Sequence, residues 1–382
     1  MTHSELEILL QEDVQAAIAR NIDRDPLKIA LDGKIPHARE VATQVKYLQR
    51  ARRKLPRLFQ AQGIIPARAF EQSSSEECAS AKRIAGGSLL DLTCGLGIDS
   101  ASLAANFERV VALERDPVLA AITSENMRRM GINNVEVKNI SAEEYLDTCD
   151  EQFDWVYADP DRRDEQGRRL VRLEDCSPNM VALLPKIRKV SRRLAIKNSP
   201  LFDIDEAWRI FPDAGVEVIS LHDECKEVMI YSPAEEPYIA AEAVGRGRYE
   251  ALRSQVEGCH EMGAFEPENY HYLVIPDVAL QKARLVADAL RGKAKVWSNL
   301  SFGFAEQMPE GVVGRVEAIE RIEEFDPKRL KRELKGVGVD IILRDFQMGV
   351  DEIRKRCSMR SGNQKRIALT RIAGKSYTIY LK

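Results

Sequence analysis

The 382 residues predict an α/β chain. Its centre reads as a mostly parallel, seven-stranded sheet wound with helices and closed by an antiparallel hairpin. A helical N-terminal region precedes it, and small α+β parts follow. Three observations carry this prediction. Short apolar runs alternate with helical stretches from Ser88 to Lys197, two later strands stand too close for a crossover helix, and the chain from Val316 onward alternates strand and helix again.

Taken in order, Leu6, Leu9, Leu10, Val14, Ala17 and Ile18 recur at helical spacing until Asp25-Pro26 breaks the pattern. A second helix over Ala38–Leu55 ends at Pro56. Lys46, Arg50, Arg52, Arg53, Lys54 and Arg57 form a basic patch on its later part. Ser88–Leu92, Arg109–Glu114, Val135–Asn139, Phe153–Ala158 and Arg193–Lys197 read as buried parallel strands. Val216–Leu221 and Val228–Tyr231 are only six residues apart, so they must be antiparallel neighbours. Tyr272–Ile275 reads as a strand and Val278–Leu290 as a helix. The end reads as strand Val316–Phe325, helix Pro327–Leu334, strand Val339–Asp345, helix Val350–Arg356, and strands Lys365–Ile372 and Tyr377–Leu381, a small open-faced sandwich. The organisation expected is a helical region over 1–70, the main α/β domain over 71–235, a ferredoxin-like or linking region over 236–310 and a basic α+β domain over 311–382.

The net charge of −3 hides an asymmetry. From Phe325 to Lys382, 15 Lys and Arg face 6 Asp and Glu, a local +9 that leaves −12 for the rest. Such a basic segment suits a polyanionic partner, nucleic acid above all. Seven scattered cysteines without a Cys-x-x-Cys pattern, and five histidines without ligand spacing, predict neither a disulfide framework nor a metal site and fit a reducing cytoplasm. No run of 18 apolar residues offers a membrane span.

The chemistry concentrates where strands end. Asp91-Leu92-Thr93-Cys94-Gly95-Leu96-Gly97-Ile98-Asp99 follows a strand and opens a helix, and its glycines let the backbone turn sharply and approach a ligand. Asp91 can take an ammonium group. Glu114 ends the next strand, seventeen residues beyond Gly97, where a carboxylate accepts from two ribose hydroxyls. A nicotinamide fingerprint would need a glycine at position 100, which is Ser100. The fourth strand ends Tyr157-Ala158-Asp159-Pro160-Asp161-Arg162-Arg163, offering a carboxylate and a fixed carbonyl to an amino group, with two arginines for a phosphate or carboxylate. Upstream, Ser74 and Glu77 have capping-box spacing, so a helix should start there, its hydroxyls turned to an anion.

The ordered series Glu71-Gln72-Ser73-Ser74-Ser75, Asp91 through Gly97, Asp159-Pro160-Asp161-Arg162-Arg163, Lys197-Asn198-Ser199-Pro200 and Glu224-Cys225-Lys226-Glu227 resembles a bacterial group of Rossmann-like class I S-adenosylmethionine-dependent methyltransferases. Members of that group carry a C-terminal THUMP-like domain and a ferredoxin-like insert. The resemblance implies S-adenosylmethionine as cofactor, in a pocket of Asp91, Gly95, Gly97 and Glu114 lined further by Gln72, Ser74, Ser75, Thr93, Cys94, Asp99, Arg115 and Ser141. Asp159 and Pro160 are then the catalytic pair, and Asp161, Arg162, Arg163, Lys197 and Asn198 contact the substrate. It also implies RNA, transfer RNA or ribosomal RNA, as partner. Asp161 and Arg162 replace the last two places of the Asp-Pro-Pro-aromatic motif of amino-methylating enzymes. The cysteine that uracil C5-methylating enzymes need after the fifth strand is absent, because Lys197 to Pro200 stand there.

The expected activity is therefore direct in-line methyl transfer to an RNA base, without a metal. Two other readings fit the same residues: a methyltransferase acting on a protein or small molecule, and a non-catalytic RNA-binding protein that keeps the fold.

Overall fold

The computed structural model describes residues 1–161, 172–259 and 263–382. The chain divides into two compact units, Met1–Gly215 with Glu227–Glu235, and Val216–Lys226 with Glu236–Lys382.

The first unit begins with α1 (His3–Leu9) and α2 (Glu12–Arg20), separate helices where one run was expected. The side chain of Thr2 caps α1, and Glu5 closes the capping box. Next come α3 (Pro26–Ala30), α4 (Ala38–Lys54), α5 (Pro56–Gln60), α6 (Ala67–Gln72) and α7 (Glu76–Ser80). Pro56 ends α4 as predicted but also starts α5, because a proline lacks the N–H that a first helical residue does not use. Strands β1 (Gly86–Asp91), β2 (Phe107–Leu113), β3 (Val135–Lys138), β4 (Trp155–Ala158) and β5 (Arg193–Asn198) are parallel. Between them lie α8 (Ile98–Leu103), α9 (Pro117–Arg129), α10 (Ala142–Thr148) and α11 (Met180–Val190), and α12 (Ile204–Ile210) follows β5.

The closing hairpin is present. Strand β6 (Gly215–Leu221) turns into β7 (Glu224–Ser232), which runs antiparallel to β5. His222 and Asp223 both take left-handed backbone (φ 52° and 62°), the signature of a two-residue type I′ turn. The order in this unit is β3-β2-β1-β4-β5-β7, so the strand order reverses between β1 and β4, where α/β sheets bind ligands.

The N-terminal helices share one core with the cofactor-loop side of the sheet. Leu48, Ile64, Ile65, Phe70 and Ala79 cluster with Leu96, Ile98 and Ile122. Two buried amides hold the segment between them. Gln44 exchanges hydrogen bonds with both backbone groups of Ile65, and Asn126 does the same for Ile64.

In the second unit β6 pairs with parallel β8 (Tyr238–Ala243), which pairs with antiparallel β9 (Gly247–Leu252). A second sheet of eight strands contains β10 (Tyr272–Pro276), β11 (Lys295–Val296), β12 (Gly303–Ala305), β13 (Gly314–Glu324), β14 (Gly338–Leu343), β15 (Arg360–Ser361), β16 (Lys365–Ile372) and β17 (Lys375–Leu381). Its order is β11-β12-β10-β13-β17-β16-β14-β15. The helix expected over Val278–Leu290 is two, α13 (Val278–Lys282) and α14 (Val286–Ala289), because Arg284 takes left-handed backbone between them. Helices α15 (Pro327–Leu334) and α16 (Val350–Cys357) cover one face of the sheet through Leu330, Leu334, Ile353, Ile367, Leu369 and Tyr380. The open face expected of the sandwich is instead filled, by Tyr270, Phe302 and Phe304 against Ala368, Ile379 and Leu381.

Candidate active site

The loop from Asp91 to Gly97 leaves β1 pinned from three sides. The N–H of Cys94 donates to the Leu113 carbonyl of β2 (2.9 Å), and the N–H of Leu92 donates to the Tyr157 carbonyl of β4 (2.9 Å). Thr123 of α9 donates its hydroxyl to the Gly95 carbonyl (2.7 Å). Both glycines have left-handed backbone, φ 56° at Gly95 and 78° at Gly97. A Cβ at Gly97 would lie 2.6 Å from both Met127 Cε and Thr123 Cγ2, whereas at Gly95 only the Thr93 carbonyl comes within 4.0 Å. Gly97 is therefore needed for packing and Gly95 leaves open space above the loop.

Asp91 is 1% exposed and accepts the Thr93 N–H (2.9 Å) and the Ser100 hydroxyl. The residue that breaks the nicotinamide fingerprint thus holds the carboxylate of the strand end. Burial raises the Asp91 carboxyl to about 7, against those two hydrogen bonds and with help from the charges of Asp99 and Asp159. Glu114 is oriented by two backbone donors, Gly95 N–H (3.0 Å) and Asp116 N–H (2.8 Å), and burial raises it too. A carboxylate has about four acceptor positions, so two remain for hydroxyl groups. Burial pushes the Cys94 thiol well up.

The end of β4 touches this loop directly, as the Asp159 N–H donates to Thr93 Oγ1 (2.6 Å). Asp159 also pairs with Lys197 of β5 (2.5 Å). Lys197 gives its remaining protons to Ser74 (2.8 Å) and Asp99 (3.1 Å), and Asp99 accepts from the Tyr157 hydroxyl (2.9 Å). Burial works against the charge of Lys197, but Asp159, Asp99 and Glu227 outweigh it and hold the ammonium protonated. Asn198 ends β5 with its side-chain amide donating to the Ile196 carbonyl (3.3 Å). Its buried side-chain oxygen has no hydrogen-bond partner among the described residues.

The other expected site residues fall less centrally. Pro160 is buried, and Asp161 exchanges two backbone hydrogen bonds with Ser177 (2.7 and 2.9 Å). Arg115 donates to the Ser177 hydroxyl (3.2 Å). Ser141 caps α10 in a capping box with Glu144. Gln72 ends α6. Ser75, not Ser74, caps α7, accepting the Cys78 N–H (3.2 Å). The expected pairing of Ser74 with Glu77 is corrected thereby: the Ser74 hydroxyl turns to Lys197 and Asp99 (3.4 Å) instead. Arg162 and Arg163 lie outside the described residues.

Sequence reasoning missed Lys82, Tyr157 and Ser100 as members of this site, and took Glu227 only as the end of a motif. Lys82 follows α7, and its side chain is fully buried against Asp99 (2.9 Å) and Glu227 (2.8 Å).

This sheet, the loop and the Asp159–Pro160 strand end define an S-adenosylmethionine-dependent methyltransferase, and the chain is one, with a THUMP-like domain at its C-terminus. The family described as "Methyltransferase domain" matches residues 89–173, and "THUMP domain-like" matches residues 314–382. An uncharacterized S-adenosylmethionine-dependent methyltransferase of Mycobacterium tuberculosis is 26% identical over 334 residues, 84% of this chain and 88% of its own. The ribosomal RNA small subunit methyltransferase J of Francisella philomiragia is 33% identical over 100 residues, 23% of this chain and 42% of its own. A Porphyromonas gingivalis W83 protein, solved by crystallography as a candidate methyltransferase, shares the fold at a TM-score of 0.81, with 24% identity, 100% of this chain and 99% of its own.

Among the described residues no group of three or more His, Cys, Asp and Glu could hold a metal, and no helix is long and apolar enough to cross a membrane.

Proposed function

We propose that the chain methylates RNA, by direct in-line transfer to an amino nitrogen of a base. The observation that carries the choice of atom is the acceptor just past the end of β4. The Asp159 carboxylate stands beside the cofactor loop, its backbone N–H bonded to Thr93, and is suited to accept an N–H of an amine. RNA rests on the THUMP-like match and on the partial likeness to a ribosomal RNA methyltransferase.

The residues fit the cofactor. Asp91 is a buried acid with its oxygens aimed by Thr93 and Ser100, ready for an ammonium, and Glu114 offers two acceptor positions for ribose hydroxyls. Gly95 leaves room above the loop, and Gln72, Ser74, Ser75, Thr93, Cys94, Asp99, Arg115 and Ser141 are read as its further lining. S-adenosylmethionine supplies a methyl group on a sulfonium, which needs alignment with the nucleophile more than acid–base help. Asp159 and Pro160 orient the accepting nitrogen, and the Asp159 carboxylate takes up the proton that the methylated amine loses. Asp161 and Asn198 contact the base, and Arg162 and Arg163 its phosphate. In this reading residues 1–70 and 71–235 build the catalytic part, 236–310 link, and 311–382 hold the RNA.

Mass spectrometry of digested RNA from cells with and without the protein tests this. One methylated nucleoside, carrying its methyl on nitrogen, should vanish with the protein and return when it is restored. Unchanged nucleosides, with methyl acceptance of the cell extract surviving RNase, would replace RNA by a protein or small molecule.

A further inference from the structure

Two lysines are buried beside the end of β4, each among oxygen atoms of neighbouring side chains. Lys197 reaches Asp159 (2.5 Å), Ser74 (2.8 Å) and Asp99 (3.1 Å). Lys82 donates to Glu227 (2.8 Å) and the Cys78 carbonyl (3.3 Å) and forms an ion pair with the other oxygen of Asp99 (2.9 Å). The Lys82 and Lys197 side chains are 0% and 8% exposed, so neither ammonium is presented to a substrate. Asp99 joins the two, and the Tyr157 hydroxyl steadies it (2.9 Å).

The result is an unbroken chain of alternating charge, Glu227–Lys82–Asp99–Lys197–Asp159. It starts on β7, where the Glu227 side chain is 3% exposed, and ends just past β4 at Asp159, the most accessible of the five carriers at 23%. Burying such charges is costly, and apolar residues of the same volume hold a core together as well or better. A chain that ends on the carboxylate facing the acceptor has a use that a core does not need. A carboxylate at a strand end rotates freely unless something fixes it, and small errors in alignment slow an in-line displacement steeply.

We propose that Lys82 and Glu227 are positioning residues: with Asp99 they fix Lys197, and Lys197 holds the Asp159 carboxylate in the one orientation that receives the acceptor's N–H. Lys197 thereby holds the site together rather than the substrate. The Glu224–Glu227 motif, which the cofactor and acceptor leave without a role, gains one through its last residue. The inference rests on Asp159 facing the acceptor and does not depend on that acceptor being RNA.

The test uses the full chain as Glu227→Gln, Glu227→Asp and the double variant Lys82→Met/Glu227→Met, which removes both charges together and so leaves no lone ion to unfold the protein. Each is measured for S-adenosylmethionine binding by calorimetry and for methyl transfer to total RNA from cells lacking the protein. Lysine-labelled ¹⁵N NMR reads the side-chain ammonium of Lys197 in the same samples. Cofactor affinity should stay within about threefold of the unchanged chain while kcat falls roughly ten- to a hundredfold at constant KM for RNA. Glu227→Asp should recover part of kcat, and the Lys197 resonance should move in Glu227→Gln and in the double variant. An unchanged kcat, or cofactor binding lost in step with it, would overturn the proposal. Should the unchanged chain transfer no methyl to RNA, the RNA reading alone falls, and an unmoved Lys197 resonance in the double variant overturns the positioning role.

Discussion

Asp91 stands at about 7 because burial outweighs the two hydrogen bonds that favour its charge. The sign of the consequence follows from which form is useful. A cofactor ammonium needs the carboxylate, so below pH 7 binding must first expel a proton. The dissociation constant for S-adenosylmethionine should then rise by up to about tenfold per pH unit below 7 and flatten above it. Calorimetry across pH 5.5–8 in buffers of different ionisation enthalpy checks both the slope and the released proton, and Asp91→Asn should abolish the dependence. In the cofactor-free chain the same shift acts on stability. The folded pKa lies above the unfolded 3.8, so Asp91's contribution is complete below that value and is lost as pH rises through 7. At this scale the loop was legible, because strand-end acids and glycines of a tight turn announce themselves locally. Lys82 was not, because its partner Glu227 lies 145 residues away.

At the scale of elements, charge is where counting along the chain misled. The basic excess taken from Phe325 omits β13, whose Glu317, Glu320, Glu323 and Glu324 lie just before it and pair with Arg366, Lys365, Arg329 and Lys375. What remains outward is narrower. Lys328, Lys331 and Arg332 are exposed along α15. Reversing all three to Glu should weaken RNA binding about tenfold and lower its log–log salt slope by about 2–3, leaving cofactor affinity unchanged. Filter binding at several salt concentrations measures this, and an unaltered slope would remove α15 from the RNA surface. Strand periodicity was readable for β1–β7, β10, β13, β14, β16 and β17. It failed for β8, whose Ala240-Ala241-Glu242-Ala243 has no strand propensity of its own and is held by its neighbours β6 and β9.

For the molecule as a whole, the chain divides into two compact units, and the cofactor loop lies in the first. Saturating S-adenosylmethionine, at 100 times its dissociation constant, should stabilise the first by about 2.7 kcal/mol. Scanning calorimetry should therefore show the transition that unfolds the cofactor loop moving upward by a few degrees, and a profile unmoved by the cofactor would contradict that placement. The fold class was legible because periodicity and the hairpin spacing are local. The attachment of the N-terminal helices was not, since it depends on Gln44 and Asn126 clasping the backbone of Ile64 and Ile65 from opposite sides. That clasp bears on how the enzyme is cut down for study. A fragment beginning at residue 71 strips the backbone from the Asn126 amide and bares Leu96, Ile98 and Ile122, so the smallest workable enzyme has to keep its first seventy residues.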